Sequence, residues 1–123
     1  MRTCPATRFR AAFLFLMFAS ACGGSTGASG VDSSKRLITL TDAERGQLCD
    51  WMVPKAGSYG TGCPGPFLVY PDRAACIVDS ADETETDCLA TVAQLEACVN
   101  MLPACATLAD VSSTPACAVL SGC

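Results

Sequence analysis

The chain has 123 residues, enough for one small domain, and its formal net charge is −4 at pH 7. It contains no histidine, which removes the most common general base and the Ser-His and Cys-His nucleophile pairs, so no catalytic residue is predicted. An acidic surface repels phosphate groups, and nucleic acid is therefore excluded as a partner.

Residues 1–21 have the organisation of a bacterial signal peptide. Arg2, Arg8 and Arg10 precede the apolar segment 11–19, which is far shorter than the roughly 20 residues that span a bilayer. Cleavage after residue 21 would leave five basic residues against twelve acidic ones, a net charge of −7. Peripheral attachment to anionic lipid is excluded for the same electrostatic reason as nucleic acid.

Residues 19–22, Ala-Ser-Ala-Cys, resemble a bacterial lipobox, in which Cys22 would carry the lipid and become the first mature residue. Residues 19–21 also fit ordinary signal peptidase, so plain secretion stays open. Lipidation is favoured because it leaves an even number of cysteines. Two or more acyl chains on Cys22 would anchor the protein stably to a membrane of the bacterial cell envelope, and the outer membrane is the expected one.

The eight remaining cysteines predict four disulfides, because an exported protein meets an oxidising compartment. No two of them form the close Cys-x2-Cys pair of a zinc site, and no metal or other cofactor is predicted. The sequence leaves 105 pairings open. A Cys88–Cys98 bond is excluded if one helix begins at Thr86 and holds both. The predicted disulfide residues are Cys49, Cys63, Cys76, Cys88, Cys98, Cys105, Cys117 and Cys123.

Residues 22–37 are rich in Gly and Ser and predict the lipidated Cys22 followed by a flexible linker with a reach of roughly 20 Å. The domain is expected over residues 38–123. Its class is small and disulfide-rich, mainly α-helical with a short β-hairpin.

Thr41 and Glu44 form a capping box that predicts a helix over 42–52, with Leu48, Cys49 and Met52 inward and Pro54 ending it.

Residues 55–66 predict a loop held by Cys63, because four Gly and two Pro exclude a helix or a central strand. Tyr59 in this loop is the predicted exposed contact for a binding partner, whereas Trp51 is expected in the core. The apolar runs 67–70 and 75–78 flank a proline-led turn and predict the hairpin.

Five acidic residues follow between Asp79 and Asp87, and their spacing favours a solvated loop over a calcium site. A second helix is predicted to begin at Thr86 or Thr91, to end at Pro103 and to be the longest of the domain. Gln94 and Glu96 are expected to face outward from it. Its core stripe is Cys88, Val92, Leu95, Val99 and Leu102. Ser113 or Thr114 caps a last short element, with Pro115 in its first turn and Gly122 after its end.

Several of these motifs occur together: the lipobox-like start, the Gly/Ser tether, the segments 40–44 and 49–51, the segments 88–92 and 96–98, and the closing Cys-x5-Cys. In this combination the chain resembles small cysteine-rich lipoproteins of delta-proteobacteria such as myxobacteria. The resemblance covers the signal peptide and residues 38–123. It implies a place in the cell envelope and no particular activity.

These features predict an exported, lipid-anchored structural or binding module. One alternative is a protein that resembles a protease inhibitor and presents the 56–66 loop, because a loop braced by a disulfide and prolines loses little entropy on binding. The other alternative is an enzyme of a type that needs no histidine.

Overall fold

A computed structural model describes residues 26–82 and 87–123, so the predicted signal peptide and Cys22 lie outside the described residues. The small, mainly α-helical, disulfide-rich fold predicted from the sequence is confirmed. None of the helices in the described ranges is long and apolar enough to cross a membrane. The elements are a 3-10 helix Leu37–Thr39, α1 Asp42–Ala56, β1 Ser58–Tyr59, β2 Val69–Tyr70, α2 Arg73–Asp82, α3 Val92–Met101, α4 Leu108–Ser113 and a C-terminal 3-10 helix Pro115–Gly122.

Helix α1 begins as predicted. The Thr41 hydroxyl accepts from the Glu44 amide, and the Glu44 carboxylate accepts from the Thr41 amide at 3.0 Å. The predicted end at Pro54 is wrong, because the helix continues to Ala56. Pro54 removes one backbone bond, but the last turn also buries Val53 and Ala56 completely, and this burial offsets the loss.

Residues 26–36, which we call the strap, pack against the domain, so the predicted flexible linker is wrong for this segment. The side chain of Val31 is 2% exposed and joins the core. The amides of Val92 and Ala93, at the start of α3, donate to the carbonyls of Lys35 and Ser33, each at 2.9 Å. One buried valine and these backbone hydrogen bonds hold the strap against the domain, although its Gly/Ser composition is typical of a linker.

The two strands pair in parallel, Ser58 with Val69 and Tyr59 with Tyr70, so the predicted hairpin is wrong. Strand β1 lies inside the segment predicted as a loop. Gly57 permits the pairing, since a Cβ there would collide with the carbonyl oxygen of Leu68. The chain then turns through Gly60, whose φ of +72° favours glycine.

Residues 75–78, predicted as the second strand of the hairpin, belong to helix α2. The carboxylate of Asp72 accepts from the Ala75 amide at 2.9 Å and so begins the helix. Cys76 is fully buried against α1, whereas Val78 is 61% exposed. Packing of one helical face therefore outweighs the β-propensity of Ile77 and Val78.

Helix α3 starts at the later of the two predicted positions, with Thr91 and Gln94 forming its capping box. It has 10 residues against 15 in α1, so the prediction that it is the longest helix is wrong. Val92 and Val99 are buried and Leu95 is half-buried, as the stripe predicts. The remaining stripe residues, Cys88 and Leu102, flank the helix.

The C-terminal region contains one element that the sequence did not predict. Thr107 and Asp110 form a third capping box and begin α4. Thr114 and Pro115 then start the last 3-10 helix as predicted, but its last turn includes Gly122, which was expected to follow the end.

All eight predicted cysteines are paired in four disulfides, which confirms their number. The Cys88–Cys98 bond, excluded only for a helix that begins at Thr86, is not among them, although α3 begins after Thr91. The bonds are Cys49–Cys76, Cys63–Cys105, Cys88–Cys123 and Cys98–Cys117.

The buried side chains fall into two hydrophobic clusters. The first joins the strap and the chain around Leu40 to Leu48, to residues 88–92 and to the C-terminal Cys123. The second joins the C-terminal half of α1 to Cys76 of α2, Val99 of α3 and Ala106. Leu95 packs against both clusters, so α3 forms a wall that the two share.

Candidate functional site

The structure does not support Tyr59 as an exposed contact. Its ring packs against the second cluster, and its hydroxyl is buried without a hydrogen-bond partner among the described residues. Burial raises the pKa of Tyr59 above its ordinary value of 10.0, with the charge of Asp50 as the next cause. The four glycines around Tyr59 suggested that nothing packs there, but pairing of β1 with β2 turns the ring inward.

The exposed residues of the 56–66 loop are Gly60, Thr61, Gly62, Pro64 and Pro66. Thr61 and the two prolines are therefore the side chains that the loop offers to a partner. The Cys63–Cys105 disulfide ties the loop to the turn before α4. Trp51, expected in the core, is half-buried against the second cluster, with the Lys55 ammonium 5.3 Å from its ring centroid.

The described residues form an apolar groove of about 280 Å³ along the seam between the two clusters. Helix α1 and helix α3 supply facing walls. Residues before β2, Val111 of α4 and the C-terminal 3-10 helix complete it. The apolar side chains that line the groove are Leu37, Leu40, Leu48, Met52, Phe67, Leu68, Leu95, Val99, Leu102, Val111 and Leu120.

The spacing along α1 explains how this helix faces the groove. Arg45, Leu48 and Met52 lie three and four residues apart and so share one helical face. Leu95 and Val99 of α3 are also four residues apart. The sequence indicated these faces as core stripes, but it did not predict that the two helices leave space between them.

Arg45 is the charged residue that lines the groove, and its residue is only 9% exposed. Its Nη1 donates to the carbonyl oxygen of Ser80 at 2.6 Å, near the C-terminal end of α2. Tyr70, also in the lining, donates from its hydroxyl to the Asp79 carboxylate at 3.0 Å. The groove is thus apolar along its length and carries one cation.

Sequence reasoning missed Arg45, although a signal was present. An arginine at the position that begins the inward stripe Arg45, Leu48, Met52 is unusual, because arginine is almost never buried without a partner. That pattern separates Arg45 from the exposed basic residues of the chain.

Nothing in residues 26–82 and 87–123 brings together three side chains that could hold a metal ion. Part of the acidic run considered for calcium, residues 83–86, lies outside the described residues. Asp79 belongs to α2.

Comparison with known proteins gives no relative: no family model, curated protein or solved structure matches the chain. The proposals below therefore depend on the geometry of the groove and the chemistry of the sequence.

Proposed function

We propose that the protein is an exported, lipid-anchored module of the cell envelope that binds a small apolar ligand in the groove between α1 and α3. The observation that carries this proposal is the groove itself, which leaves leucine, valine and phenylalanine side chains facing an open space of about 280 Å³. Binding of an apolar ligand in such a space is favourable, because it removes the apolar surface of both the groove and the ligand from water.

The size of the groove limits the ligand. Ligand pockets commonly measure roughly 300–1,000 Å³, so a groove of about 280 Å³ suits a single chain or a ring system of few rings. The lack of histidine in the chain favours binding over catalysis, because the residues that line the groove include no nucleophile and base in reach of each other.

The ordered strap limits the distance between a lipid anchor on Cys22 and the domain. Cys22 precedes Thr26, where the described strap begins, by four residues, and these span at most about 14 Å when extended. A lipid on Cys22 would therefore hold the domain close to the bilayer, within reach of apolar molecules that leave it. A long flexible tether would not fix that distance.

Binding can be tested with a neutral fluorescent probe, phenylnaphthylamine, whose emission rises in apolar surroundings. We expect the oxidised domain to bind it. Val111→Trp should reduce the affinity by roughly tenfold or more, because the larger ring fills the groove that Val111 lines. Val119→Trp is the matched control, since Val119 is 44% exposed and does not line the groove.

Three results would count against the groove as a ligand site: no binding by the wild-type domain, equal loss in both variants, or unchanged affinity in Val111→Trp. Thermal melts of both variants must first show that each is folded.

The anchor is tested separately by intact mass and fractionation. Protein from membranes should carry acyl chains on Cys22, and Cys22→Ser should appear in the soluble fraction. A soluble mature wild-type protein with an unmodified Cys22 would overturn the anchor and leave the groove proposal standing.

A further inference from the structure

Arg45 carries its charge into an apolar space, which is costly unless an anion accompanies it. The ion pairs among the described side chains of residues 26–81 and 87–123 are Lys35–Glu44 and Arg73–Asp50, and neither includes Arg45. Its one polar contact in these ranges is the neutral carbonyl of Ser80. A guanidinium has five N–H donors, so this bond leaves donors for a second acceptor.

The bond to Ser80 also has a structural use, since it satisfies a carbonyl in the last turn of α2. That use needs a hydrogen-bond donor and does not need a positive charge facing leucine side chains. A neutral donor of the same length would satisfy this carbonyl equally well. The charge of Arg45 is therefore the feature that the fold alone leaves unexplained.

We propose that the groove binds an aliphatic carboxylate, with the carboxylate paired to the Arg45 guanidinium and the chain lying against the side chains of α1 and α3. This inference rests on the proposed apolar ligand and adds the chemistry of its head group. A carboxylate matches the planar fork of arginine with two parallel hydrogen bonds.

A single negative charge fits this site better than a phosphate dianion. Arg45 is the one cation in the lining, and the mature chain is acidic elsewhere, with five basic residues against twelve acidic ones. A dianion would meet one guanidinium and the repulsion of the surrounding acids. The groove volume likewise accommodates one chain rather than the two of a phospholipid.

The test measures displacement of phenylnaphthylamine by three ligands of equal chain length: dodecanoate, dodecanol and dodecyl phosphate, each below its aggregation limit. We expect the wild-type domain to bind dodecanoate roughly tenfold more tightly than dodecanol, and more tightly than dodecyl phosphate. In Arg45→Gln, dodecanoate should lose this advantage while dodecanol keeps its wild-type affinity. Arg45→Lys, which keeps the charge and loses the fork, should retain part of the preference.

Each outcome decides one of the two proposals. Failure of the wild-type domain to bind the probe or any of the three ligands overturns the groove function itself. Equal binding of dodecanoate and dodecanol, tighter binding of dodecyl phosphate, or an unchanged preference in Arg45→Gln overturns the carboxylate inference alone. If Arg45→Gln does not fold, the wild-type comparison decides, together with its salt dependence: added salt should weaken dodecanoate and not dodecanol.

Discussion

The two hydrophobic clusters are built in different ways. The second is centred on α1, which supplies four of its seven buried residues, and the Cys49–Cys76 bond, with both cysteines fully buried, joins α1 to α2. The first gathers residues from the strap, from α1, from residues 88–92 and from the C-terminal residues, with Cys88–Cys123 joining the last two. The buried residues of the second cluster thus come mostly from one helix, whereas those of the first come from several separate segments.

This difference predicts which of the two clusters moves when a ligand enters the groove. Ordering distant segments costs more chain entropy, and the strap is held by a few backbone hydrogen bonds and one buried valine. Regions with few buried apolar contacts open at lower free energy than the rest of a domain. We therefore expect the first cluster to move when a ligand enters, and the second to stay closed.

The largest expected effect comes from removing one disulfide at a time by replacing both of its cysteines. The Cys49–Cys76 and Cys88–Cys123 bonds join residues 27 and 35 positions apart, and chain entropy assigns each about 3.5–4 kcal/mol. Replacing Cys49 and Cys76 by alanine should cost more, because both are fully buried and leave space in the core, whereas in the other pair Cys88 is fully buried and Cys123 is half-buried. Urea unfolding of each double variant measures the difference. A larger loss in the Cys88→Ala, Cys123→Ala variant would reverse the comparison.

Leu95→Ala tests the side chain that the two clusters share. Burial of a leucine in a packed core makes this change cost roughly 2–5 kcal/mol, and we expect about 2 because Leu95 is half-buried and already borders the groove. Leu89→Ala is the control, since Leu89 is 67% exposed and should change stability little. Thermal or urea unfolding gives both values. A cost equal to that of Leu89→Ala would mean that the stripe of α3 is not a core face.

Glu96 holds the strap to α3 and gives a smaller, more local test. The sequence placed Glu96 on the outward face, but its residue is 8% exposed and its carboxylate accepts from the Ser29 amide at 2.8 Å. Gly27 lies so close that a Cβ there would collide with the same carboxylate. The prediction of an outward Glu96 is wrong because it assumed that residues 26–36 leave this face to solvent.

Glu96→Ala should release the strap and cost about 1.5–3 kcal/mol, the range for a hydrogen bond to a charged group. Glu96→Gln keeps an acceptor and should cost less. Hydrogen exchange should show faster exchange at the amides of Val92 and Ala93, which donate to strap carbonyls, with little change in α2. Uniform acceleration across both clusters would show that they unfold as one unit.

The predictions that the structure confirms are those with a local or an arithmetic cause. The Thr41 and Thr91 capping boxes are each defined by four consecutive residues, and the four disulfides follow from an even number of cysteines together with the expected export. The pairing of the cysteines could not be derived, because it depends on how the helices pack.

The predictions that fail depend on contacts between distant residues. Residues 75–78 have β-propensity and become a helix because α1 covers one face of them. The strap has the composition of a linker and is ordered by residues more than fifty positions away, as in the Ser29–Glu96 hydrogen bond. The groove lies between two correctly predicted helix faces. Hydrophobic periodicity identifies such faces, but it does not show whether they pack closely or leave a space between them.

The smallest expected effect is a dependence on pH, confined to the strap side. The hydrogen bond from the Lys35 ammonium, followed by that from the Thr41 amide, holds the pKa of Glu44 below its ordinary value of 4.5. Lys35 belongs to the strap and Glu44 to α1, so this ion pair joins the strap to the helix. A carboxyl whose pKa is lower in the folded state stabilises the fold above its unfolded pKa, and this contribution disappears as the pH falls through the folded pKa.

Acid should therefore loosen the strap before it loosens the second cluster. Between about pH 5 and about pH 3, exchange at the amides of Leu37 and Val92 should accelerate relative to amides in α2, and Glu44→Gln should remove its share of this dependence. The pKa of Asp110 is lowered in the same way by the Thr107 amide and hydroxyl, so Asp110→Asn serves as a control that alters α4 and leaves the strap response intact. Equal acceleration in α2, or an unchanged strap response in Glu44→Gln, would show that the Lys35–Glu44 pair does not set the stability of the strap. Lys35 and Glu44 are both partly exposed, so added salt should also reduce the effect of Glu44→Gln. The effect of Glu96→Ala should depend on salt much less, because Glu96 is buried and accepts its hydrogen bond from a backbone amide.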